Sequence, residues 1–591
     1  MHEKGPRRAG DLIFLATAAC VYLRLFFAVD FVDESFYVAL PYAFELGHRP
    51  IVDELGTHQL GGLLLRPFVS LHLAIVGSSN GLVLCVRHLY FAFSLGSALL
   101  ARGFLGRIFG SAVGSLAGAV SVAYVPFLIP SISYNTIAYL GLLSGSLQLA
   151  SGCQPRGRNI RLCSGTALLA AATFAYPPML LAAVTALACA TWALWIESDR
   201  ESRRHAVLAI GLTGAACLGV ALATLVLLGA PGELERILEL NRALGKQGGG
   251  SEKLRALVRE ATLERSYLLA LAALVVTIAV CFRRISNRWL LGAIAVAAGP
   301  ALLVLDSLYV RFNQPYTTSS FVFSAIGLSA LPAVLDLRRA IPHHHWRALI
   351  VVTVPALVAS ASILWASANG MRNAALGLLP ATLVAIACLS HAVAGRARAG
   401  SGSERGGQSP NRLAAQAPIF LLVSSLLGFL GSQMWTHSYN DAPAWTLRAR
   451  VGDGPWTGIL TEPTRRSFIE TLAADLRGAR GESSTIIFLD YFPAGYLMTD
   501  LKPQTPSLWT FPAVRGLWGS EASREFYARE LKDRGALPDL VVRIYCFPMT
   551  HGVMTIPQNE RDPVLVQLAV YDYEVVVRQP CYSITRRIQR E

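Results

Sequence analysis

Apolar stretches of membrane-spanning length recur along the chain and end near residue 434. A helix needs about twenty mainly apolar residues to cross a bilayer. About thirteen segments approach that length: 12–29, 82–101, 108–130, 134–151, 162–176, 178–196, 206–229, 267–282, 289–305, 318–335, 347–366, 371–394 and 415–434. Tyr176-Pro177-Pro178 breaks the backbone after the short fifth segment, so the fifth and sixth could form a re-entrant hairpin. The pattern predicts a polytopic α-helical membrane protein with about thirteen spans.

After Trp435 the pattern changes to helices alternating with short strands. Strands are predicted at 484–490 and 539–545, each preceded by a helical pattern, and a hairpin at 571–577 and 581–587. This order favours an α/β domain over 435–591, with a small, partly parallel sheet covered by helices. Cys546 and Cys581 fall at the same end of that sheet. They could form a disulfide or remain two separate buried thiols.

Composition and the charge of the short loops predict how the chain is oriented in the membrane. The chain is 53% hydrophobic and 15% charged, which is outside the range of soluble proteins. Its net charge of +14 comes from basic residues scattered through short loops, so nucleic acid is not expected as a partner. With the N-terminus in the cytoplasm, all the strongly basic short loops fall inside. The chain is therefore expected in a bacterial inner or plasma membrane, with an uncleaved first span.

This orientation divides the chain into regions. A transmembrane domain is predicted at 1–434, with outward loops at 30–81 and 230–266 and a cytoplasmic linker at 395–412. The loop 230–266 has the pattern of two amphipathic helices, which could form a lid over a site or a passive connector. The α/β domain that follows is expected outside the cytoplasm.

The first outward loop concentrates acidic residues in a chain otherwise poor in charge. Asp30, Asp33 and Glu34 lie together at the end of the first apolar segment, and Asp53 and Glu54 follow about twenty residues later. A carboxylate held near hydrocarbon without a partner costs several kcal/mol, roughly. Helix capping and stabilisation of the helix dipole are the structural explanation for Asp33 and Glu34. The functional explanation is an active site, and we expect the loop to form one.

The motif in this loop resembles the GT-C superfamily of polytopic glycosyltransferases, which includes protein O-mannosyltransferases and lipid A aminoarabinose transferases. The matching residues are Asp33-Glu34, Tyr37, Gly47, Pro50, Asp53 and Arg87. A further pattern, H-x-P-G, is altered here because Leu60 replaces its proline. The second outward loop, Ser133-Tyr134-Asn135, lacks the acidic residue that several relatives carry there. Asp53 is therefore the second acid that we expect.

The resemblance implies transfer of a sugar from a polyprenyl phosphate to a glycan, lipid or protein of the cell envelope, with inversion and without a cofactor. Asp33 would be the base, with Glu34 and Asp53 as further catalytic candidates. The candidates for binding substrate are Arg24, Glu54, His58, Arg87, His88, Tyr134, Asn135, Arg311 and Tyr316. Arg24 and Arg87 could instead simply neutralise the acidic loop. A divalent cation at Asp33, Asp53 and His58 is not favoured.

Two other classes remain open. A transporter or flippase of lipid-linked glycans would show repeats and mid-membrane charges, and the charges here cluster near the outer surface. A catalytically silent envelope scaffold would keep the fold without needing the carboxylates. Aromatic residues near Tyr491 and Trp509 could bind carbohydrate or belong to the core of the α/β domain.

Overall fold

A computed structural model describes most of the chain. The described residues are 4–56, 58–154, 158–243, 253–255, 257, 317–367, 370–399, 412–509, 520–533, 537–549, 552–556 and 562–588. The predicted spans 267–282 and 289–305, the candidates Arg311 and Tyr316, and the larger part of the predicted linker lie outside these residues.

Helices make up the N-terminal three quarters of the described chain. Up to residue 243 the α-helices are α1 Lys4–Arg24, α2 Asp33–Glu45, α3 Gln59–Val76, α4 Leu82–Phe109, α5 Ser111–Ala123, α6 Tyr134–Gly152, α7 Arg158–Ala175, α8 Leu180–Glu197, α9 Arg200–Leu227 and α10 Ala230–Ala243. From residue 317 onward the α-helices of this region are α11 Thr317–Leu328, α12 Ala330–Asp336, α13 His343–Ala366, α14 Ala374–Ala399 and α15 Arg412–Thr436.

Fewer helices qualify as spans than the sequence predicted. By length and apolar composition, seven helical segments of the described residues could cross a membrane: 59–76, 82–109, 177–197, 200–227, 319–339, 343–366 and 374–392. The prediction of about thirteen spans is not confirmed. Part of the difference is chemical, because α1 carries charged residues along its first two turns and α5 has only 13 residues.

One of these apolar helices, α3, lies inside the loop that was predicted to stay outside the membrane. His58 immediately precedes the first residue of α3, and its ring centroid lies 6.1 Å from that of Trp509. Just beyond its last residue, Ser79 Oγ donates to the carbonyl of Leu497 at 3.2 Å. Both partners belong to the C-terminal α/β domain. Residues of the α/β domain therefore lie next to both ends of α3.

The helix bundle has two distinct ends. At one end of α4, the backbone N–H of Val83 donates to the carbonyl of Pro455 in the α/β domain at 3.0 Å. Toward the other end, Arg102 forms an ion pair with Asp11 of α1 at 2.8 Å. The 28 residues of α4 span about 42 Å at 1.5 Å per residue. The α/β domain and the basic loops near Arg102 therefore lie at opposite ends of the bundle.

The described residues of the C-terminal domain form α16 Pro463–Arg480, α17 Ser520–Asp533 and α18 Pro563–Leu568 together with nine strands. The strands are β1 Ala449–Arg450, β2 Leu460–Thr461, β3 Thr485–Leu489, β4 Lys502–Pro503, β5 Leu540–Ile544, β6 Cys546–Met549, β7 Gly552–Thr555, β8 Tyr573–Arg578 and β9 Tyr582–Arg587. Five of them form a sheet in the order β4-β3-β5-β9-β8. Strand β3 is parallel to β4 and β5, whereas β9 is antiparallel to β5 and β8. This agrees with the partly parallel sheet predicted from the sequence.

Cys546 and Cys581 are joined by a disulfide between the start of β6 and the residue before β9. Of the two states left open by the sequence, the structure has the bridged one. It ties the end of the central strand β5 to the antiparallel half of the sheet.

The acidic loop and the α/β domain share a hydrophobic core. Phe31 of the loop lies 5.4 Å from Phe492, 5.9 Å from Phe547 and 6.0 Å from Trp456, measured between ring centroids. All four side chains are buried. The boundary predicted near residue 435 therefore separates an apolar helical region from a region of mixed composition. In the structure, the acidic loop of the first region packs directly against the second.

The outward segment that begins with α10 also contacts the α/β domain. Leu240 is buried beside Phe526 and Leu55, and Arg236 is ion-paired with Glu530 of α17. The rest of the predicted segment 230–266 is almost entirely outside the described residues. The loop 30–81, α10 and the α/β domain thus lie on the same side of the bundle.

Candidate active site

The first carboxylate of the acidic loop, Asp30, organises the start of α2. Its Oδ1 accepts the backbone N–H of Val32 at 3.0 Å, and its Oδ2 accepts that of Glu34 at 2.7 Å. The first N–H groups of a helix have no partner within the helix, so an acidic side chain placed before them stabilises its start. Asp30 thus stabilises the start of α2, a role that the sequence had suggested for Asp33 and Glu34.

Asp33 lies next to Asp30 at the first position of α2 and is half-buried. Both carboxylates are met by consecutive residues that follow α15. The hydroxyl of Tyr439 donates to Asp33 Oδ2, and Asn440 Nδ2 donates to Asp30 Oδ1 at 3.1 Å. Asn440 has a left-handed backbone with φ of 58°, which asparagine tolerates better than most residues. This turn brings the two donors to the two acids.

The surroundings change the acidity of both groups. Burial raises the pKa of Asp30 to about 6, although the hydrogen bonds from Glu34 and Asn440 act in the opposite direction. Burial and the negative charge of Asp30 raise the pKa of Asp33 well above its ordinary value. Adjacent carboxylates in a poorly solvated site titrate as a pair. Such a pair can hold and release a proton near neutral pH, which ordinary aspartates do not do.

Aromatic side chains surround this pair of carboxylates. The ring of Tyr37, one turn after Asp33, lies 5.8 Å from that of Tyr134 between centroids, and the His58 ring lies 4.3 Å from the same tyrosine. Tyr134 also contacts Tyr176, 5.4 Å away. From the α/β domain, Trp509 approaches to 4.4 Å from Phe36 of α2. These contacts connect the rings of Tyr37, His58, Tyr134, Tyr176, Tyr491 and Trp509 into one cluster of aromatic side chains, which we call the aromatic chamber.

Burial affects Tyr37 as well as the carboxylates. It raises the pKa of this phenol well above its ordinary value, and the neighbouring Tyr134 and Asp33 add to the shift. Tyr37 therefore remains a neutral hydrogen-bonding group at all physiological pH values. Flat rings with polar edges are suited to contact with sugars or other partly polar rings.

Asn135 adds a buried acceptor beside the chamber. The start of α6 is capped by Ser133, whose hydroxyl accepts the backbone N–H of Thr136 at 3.2 Å. Asn135 is thus not the cap that the sequence left open. Its Oδ1 is buried without a hydrogen-bond partner among the described residues, and an unpaired buried carbonyl of this kind is costly. A hydroxyl of a bound molecule would satisfy it.

Glu34 and Arg87 form a buried ion pair. Glu34 Oε1 accepts Nε of Arg87 at 2.7 Å, and its Oε2 accepts Nη2 at 2.5 Å. The guanidinium also donates to the carbonyls of Leu25, Phe27 and Ala28. These contacts fasten the chain leaving α1 to α2 and α4. The geometry favours the structural explanation for Arg87 and gives the same role to Glu34, which the sequence had offered as a catalytic candidate.

Arg24 is also engaged with protein groups. It is buried, and it donates to the carbonyls of Met434 and Phe27 and to the hydroxyl of Ser438. Arg24 therefore joins the ends of α1 and α15, and its predicted contact with substrate would require these bonds to be replaced.

Asp53 lies in a different place from Asp33. Asp33 begins α2, whereas Asp53 lies in the turn that follows the other end of this helix, where it is paired with Arg49 and Lys502 at 3.0 and 3.3 Å. Burial opposes its ionisation, but the hydrogen bonds from Arg49 and the charges of His48 and Lys502 prevail and lower its pKa below the ordinary value. Asp53 thus has the chemistry of a permanent charge, and Asp30 takes the place expected for the second acid.

Glu54 holds a segment of the α/β domain that contributes to the aromatic chamber. Its carboxylate is fully buried and accepts the backbone N–H groups of Leu508 and Gly56, each at 2.9 Å. The imidazole of His48 lies 3.7 Å from the same group. Because Leu508 precedes Trp509, Glu54 anchors the segment that delivers this tryptophan to the chamber. A direct contact of Glu54 with substrate is not favoured by this burial.

The remaining predicted residues fall into two groups. His58 and Tyr134 border the chamber. His88 lies on the side of α4 that faces α1, with its Nε2 at 3.3 Å from the hydroxyl of Tyr22, and it does not join the chamber residues. Arg311 and Tyr316 lie outside the described residues.

No group of three or more histidine, cysteine, aspartate and glutamate side chains that could hold a metal ion occurs among the described residues. The groups in the site that can exchange a proton or contact a substrate are Asp30, Asp33 and the surrounding rings.

Several site residues escaped the sequence predictions. Asp30 was recognised as acidic but not assigned a role, and Tyr439 and Asn440 were not considered. Their positions directly after the last apolar segment placed them on the outward side with the acidic loop, which is the one signal that could have found them. Tyr491 and Trp509 had been considered only as a carbohydrate surface or an ordinary core.

A bundle of apolar helices bearing an α/β domain, with paired carboxylates where the two meet, defines a multi-pass membrane protein with a candidate acid–base site at one end of its bundle. Neither a protein-family model nor a curated protein sequence matches the chain.

Solved structures with a similar course of the chain include two kinds of GT-C glycosyltransferase. The archaeal oligosaccharyltransferase AglB of Archaeoglobus fulgidus, in complex with an inhibitory peptide and a dolichol-phosphate, is 12% identical with a TM-score of 0.48, over 90% of this chain and 69% of that one. ArnT of Cupriavidus metallidurans bound to undecaprenyl phosphate is 12% identical with a TM-score of 0.44, over 98% of each chain. With TM-scores below 0.5, we base the functional inference on the residues of the chain itself.

Proposed function

We propose that this protein is an inverting glycosyltransferase that moves a sugar from a polyprenyl phosphate to a hydroxyl of a cell-envelope glycan, lipid or protein at the outer face of the membrane. The observation that carries the proposal is the pair Asp30 and Asp33, held with raised pKa values beside an aromatic chamber. The motif of the acidic loop supports the choice of donor. The basic loops at the opposite end of the bundle support the outward orientation.

The chemistry follows from the geometry of the pair. Asp33, with Tyr439 bonded to one of its oxygens, removes the proton of the acceptor hydroxyl as that oxygen attacks the anomeric carbon. The bond between this carbon and the phosphate oxygen breaks, and the polyprenyl phosphate leaves with both electrons of the bond. Attack from the side opposite the leaving group inverts the anomeric configuration. Asp30 acts through its charge, which raises the proton affinity of Asp33.

The leaving phosphate requires cations or hydrogen-bond donors as its charge develops. Arg24 and Arg87 are engaged with protein carbonyls and Glu34. Arg311, which the sequence places in an outward loop, is the residue that we propose for this role. Tyr37, His58 and Tyr134 supply donors and rings to the sugar, and Asn135 Oδ1 accepts one of its hydroxyl groups.

The first test is transfer from a panel of radiolabelled polyprenyl-phosphate sugars in membranes that contain wild type or Asp33→Asn, with an envelope extract as acceptor. Asparagine keeps the shape and the acceptor oxygen for Tyr439 but cannot remove a proton. We expect the wild type to transfer label and Asp33→Asn to lose about 100- to 10,000-fold in rate. Glu470→Gln serves as control, because Glu470 forms only an exposed pair with Arg466 on α16.

Two outcomes would contradict the proposal. Transfer retained by Asp33→Asn would show that Asp33 is not the base. If no donor is consumed while Asp33→Asn still complements a deletion strain, catalysis would be abandoned in favour of the scaffold or the flippase. The flippase would then be recognised by movement of lipid-linked glycan in liposomes without transfer.

A further inference from the structure

A strained turn follows the central strand β3 of the α/β domain. Asp490 and Tyr491 come directly after this strand and are both left-handed, with φ of 73° and 66°. This conformation is uncommon for residues other than glycine, and it is most unfavourable for a bulky side chain. Such turns persist where the surrounding structure holds them, and they concentrate at functional sites. Two of them in succession indicate a strong local constraint.

The constraint comes from Arg524 of α17. This side chain is only 1% exposed, its Nη2 donates to Asp490 Oδ1 at 2.7 Å, and its Nε lies 2.8 Å from Asp562 Oδ2. Asp562 in turn caps α18 by accepting the backbone N–H of Val564 at 2.9 Å. One guanidinium thus links the strained turn to two helices.

The turn faces the candidate active site. The ring of Tyr491 lies 6.0 Å from that of Trp509, whose ring lies 6.1 Å from His58. A few residues later, the backbone N–H of Ala494 donates to the carbonyl of Phe31 in the acidic loop at 3.2 Å. The segment that follows the turn is therefore one of the places at which the α/β domain contacts the loop that carries Asp33.

Buried ion pairs frequently have a purely structural role. Here a structural role alone does not account for a left-handed tyrosine directed at the chamber, since glycine would make the same turn without strain. A strained aromatic residue is explained if its side chain is needed where the turn presents it.

We propose that Arg524 is a positioning residue for the aromatic chamber: by holding Asp490 in the left-handed turn, it presents Tyr491 beside Trp509, where the tyrosine ring contacts the sugar of the substrate. The inference rests on the proposed function and assigns part of the sugar-binding surface to the α/β domain.

The direct test compares Tyr491→Ala with wild type in the transfer assay, using a donor that the wild type consumes. Loss of one aromatic contact with the sugar should raise KM about tenfold, with kcat within about threefold and Tm unchanged. Tyr571→Ala is the matched control, since Tyr571 is a partly exposed tyrosine of the same domain that lies next to β8. Unchanged KM and kcat in Tyr491→Ala would overturn the contact.

The positioning role is tested with Arg524→Lys, which keeps the charge but cannot bond two carboxylates in the same fork geometry. We expect a higher KM at temperatures where the variant is fully folded. In Arg524→Met, the additional change Asp490→Gly should partly restore KM, because glycine adopts the turn without an anchor. Arg477→Lys, at an exposed arginine of α16, is the control. A fall in Tm with wild-type KM would show that Arg524 is only structural.

A labelling experiment separates this inference from the proposed function, because it needs no substrate. Tyr491→Cys is placed in a chain whose free cysteines are replaced and whose Cys546–Cys581 bridge is kept. The rate of its reaction with a small maleimide is measured with Arg524 and with Arg524→Lys. A change of severalfold supports positioning even if no donor is consumed, and equal rates would overturn it.

Discussion

At the scale of single residues, three neighbouring carboxylates of the acidic loop have different roles because they have different partners. Asp30 holds the start of α2, and Glu34 is fully engaged with Arg87. Asp33 is half-buried beside the chamber, with Tyr439 bonded to one oxygen. The residue that can meet a substrate is thus the middle one, and its basicity depends on the other charges around it.

This arrangement predicts the pH dependence of transfer. The base must be ionised, and the pKa values of Asp30 and Asp33 are raised, so activity should fall as the pH drops through the titration of the pair. We expect kcat/KM to decrease about tenfold per pH unit on the acidic limb. That limb should lie at clearly higher pH than the value near 4, roughly, at which an ordinary aspartate would place it. A pH–rate profile measures it.

The variant Tyr439→Phe refines the same measurement. The tyrosine hydroxyl donates to the charged form of Asp33, so its removal should move the acidic limb to higher pH. Tyr571→Phe should leave the limb in place. A limb near pH 4, or one that does not respond to Tyr439→Phe, would contradict the assignment of Asp33.

At the scale of elements, the disulfide fastens the two halves of the sheet to each other. It joins cysteines 35 positions apart, the first residue of β6, just after β5, and the residue before β9. Closing a loop of that length in the unfolded chain stabilises a domain by about 3–4 kcal/mol in the chain-entropy account. A disulfide also persists only in an oxidising compartment, which agrees with an outward position for the domain.

Replacement of both cysteines by serine should therefore lower the thermal stability of the protein in detergent, with little effect on kcat and KM of the folded fraction. The measurement is thermal inactivation of the purified protein with and without the bridge, and Cys163→Ser provides a control at a free cysteine of α7. Equal stability of the two proteins would show that the sheet does not depend on the bridge. Loss of activity without loss of stability would show that the bridge acts on the site.

At the scale of the whole molecule, the outward segments form one assembly. The acidic loop shares its core with the α/β domain through Phe31, and α10 packs on α17 through Leu240. The basic loops lie at the far end of the bundle, as Arg102 shows. All parts of the candidate site should therefore be accessible from one side of the membrane only.

Cysteine labelling in intact cells tests this orientation. In a chain without free cysteines, Glu470→Cys on α16 should react with a membrane-impermeant maleimide from outside. Glu201→Cys, in the first turn of α9, should react only after permeabilisation, because its loop is basic. The opposite pattern would reverse the topology and place the proposed reaction in the cytoplasm.

The hydrophobic pattern was sufficient to place most helices and the partly parallel sheet, but it failed at α3. This segment is as apolar as a span, and the sequence counted it as part of the outward loop without predicting a helix of spanning length. Its position depends on contacts at both ends, through His58 and Ser79, with residues more than 400 positions away. No local pattern contains that information.

The candidate site was predicted in part. Asp33, His58 and Tyr134 come together as expected, because they belong to outward segments that the charge pattern had already placed on one side. Asp53 was expected near Asp33, yet it pairs with Lys502 of the α/β domain. Sequence distance does not show that a helix begins at Asp33 and ends before the turn that contains Asp53.

The sequence by itself determined the class of the protein, a multi-pass membrane protein, and the residue types available for chemistry, because burial of apolar length and exclusion of charge from hydrocarbon act locally along the chain. Only the tertiary structure decided which carboxylate is half-buried beside aromatic rings and which are engaged with Arg87 or Lys502. It also brought Tyr439 to that carboxylate and Tyr491 to the chamber beside it. The physical reason is that the acidity and reach of a side chain depend on its neighbours in space, and these come from segments far apart in the chain.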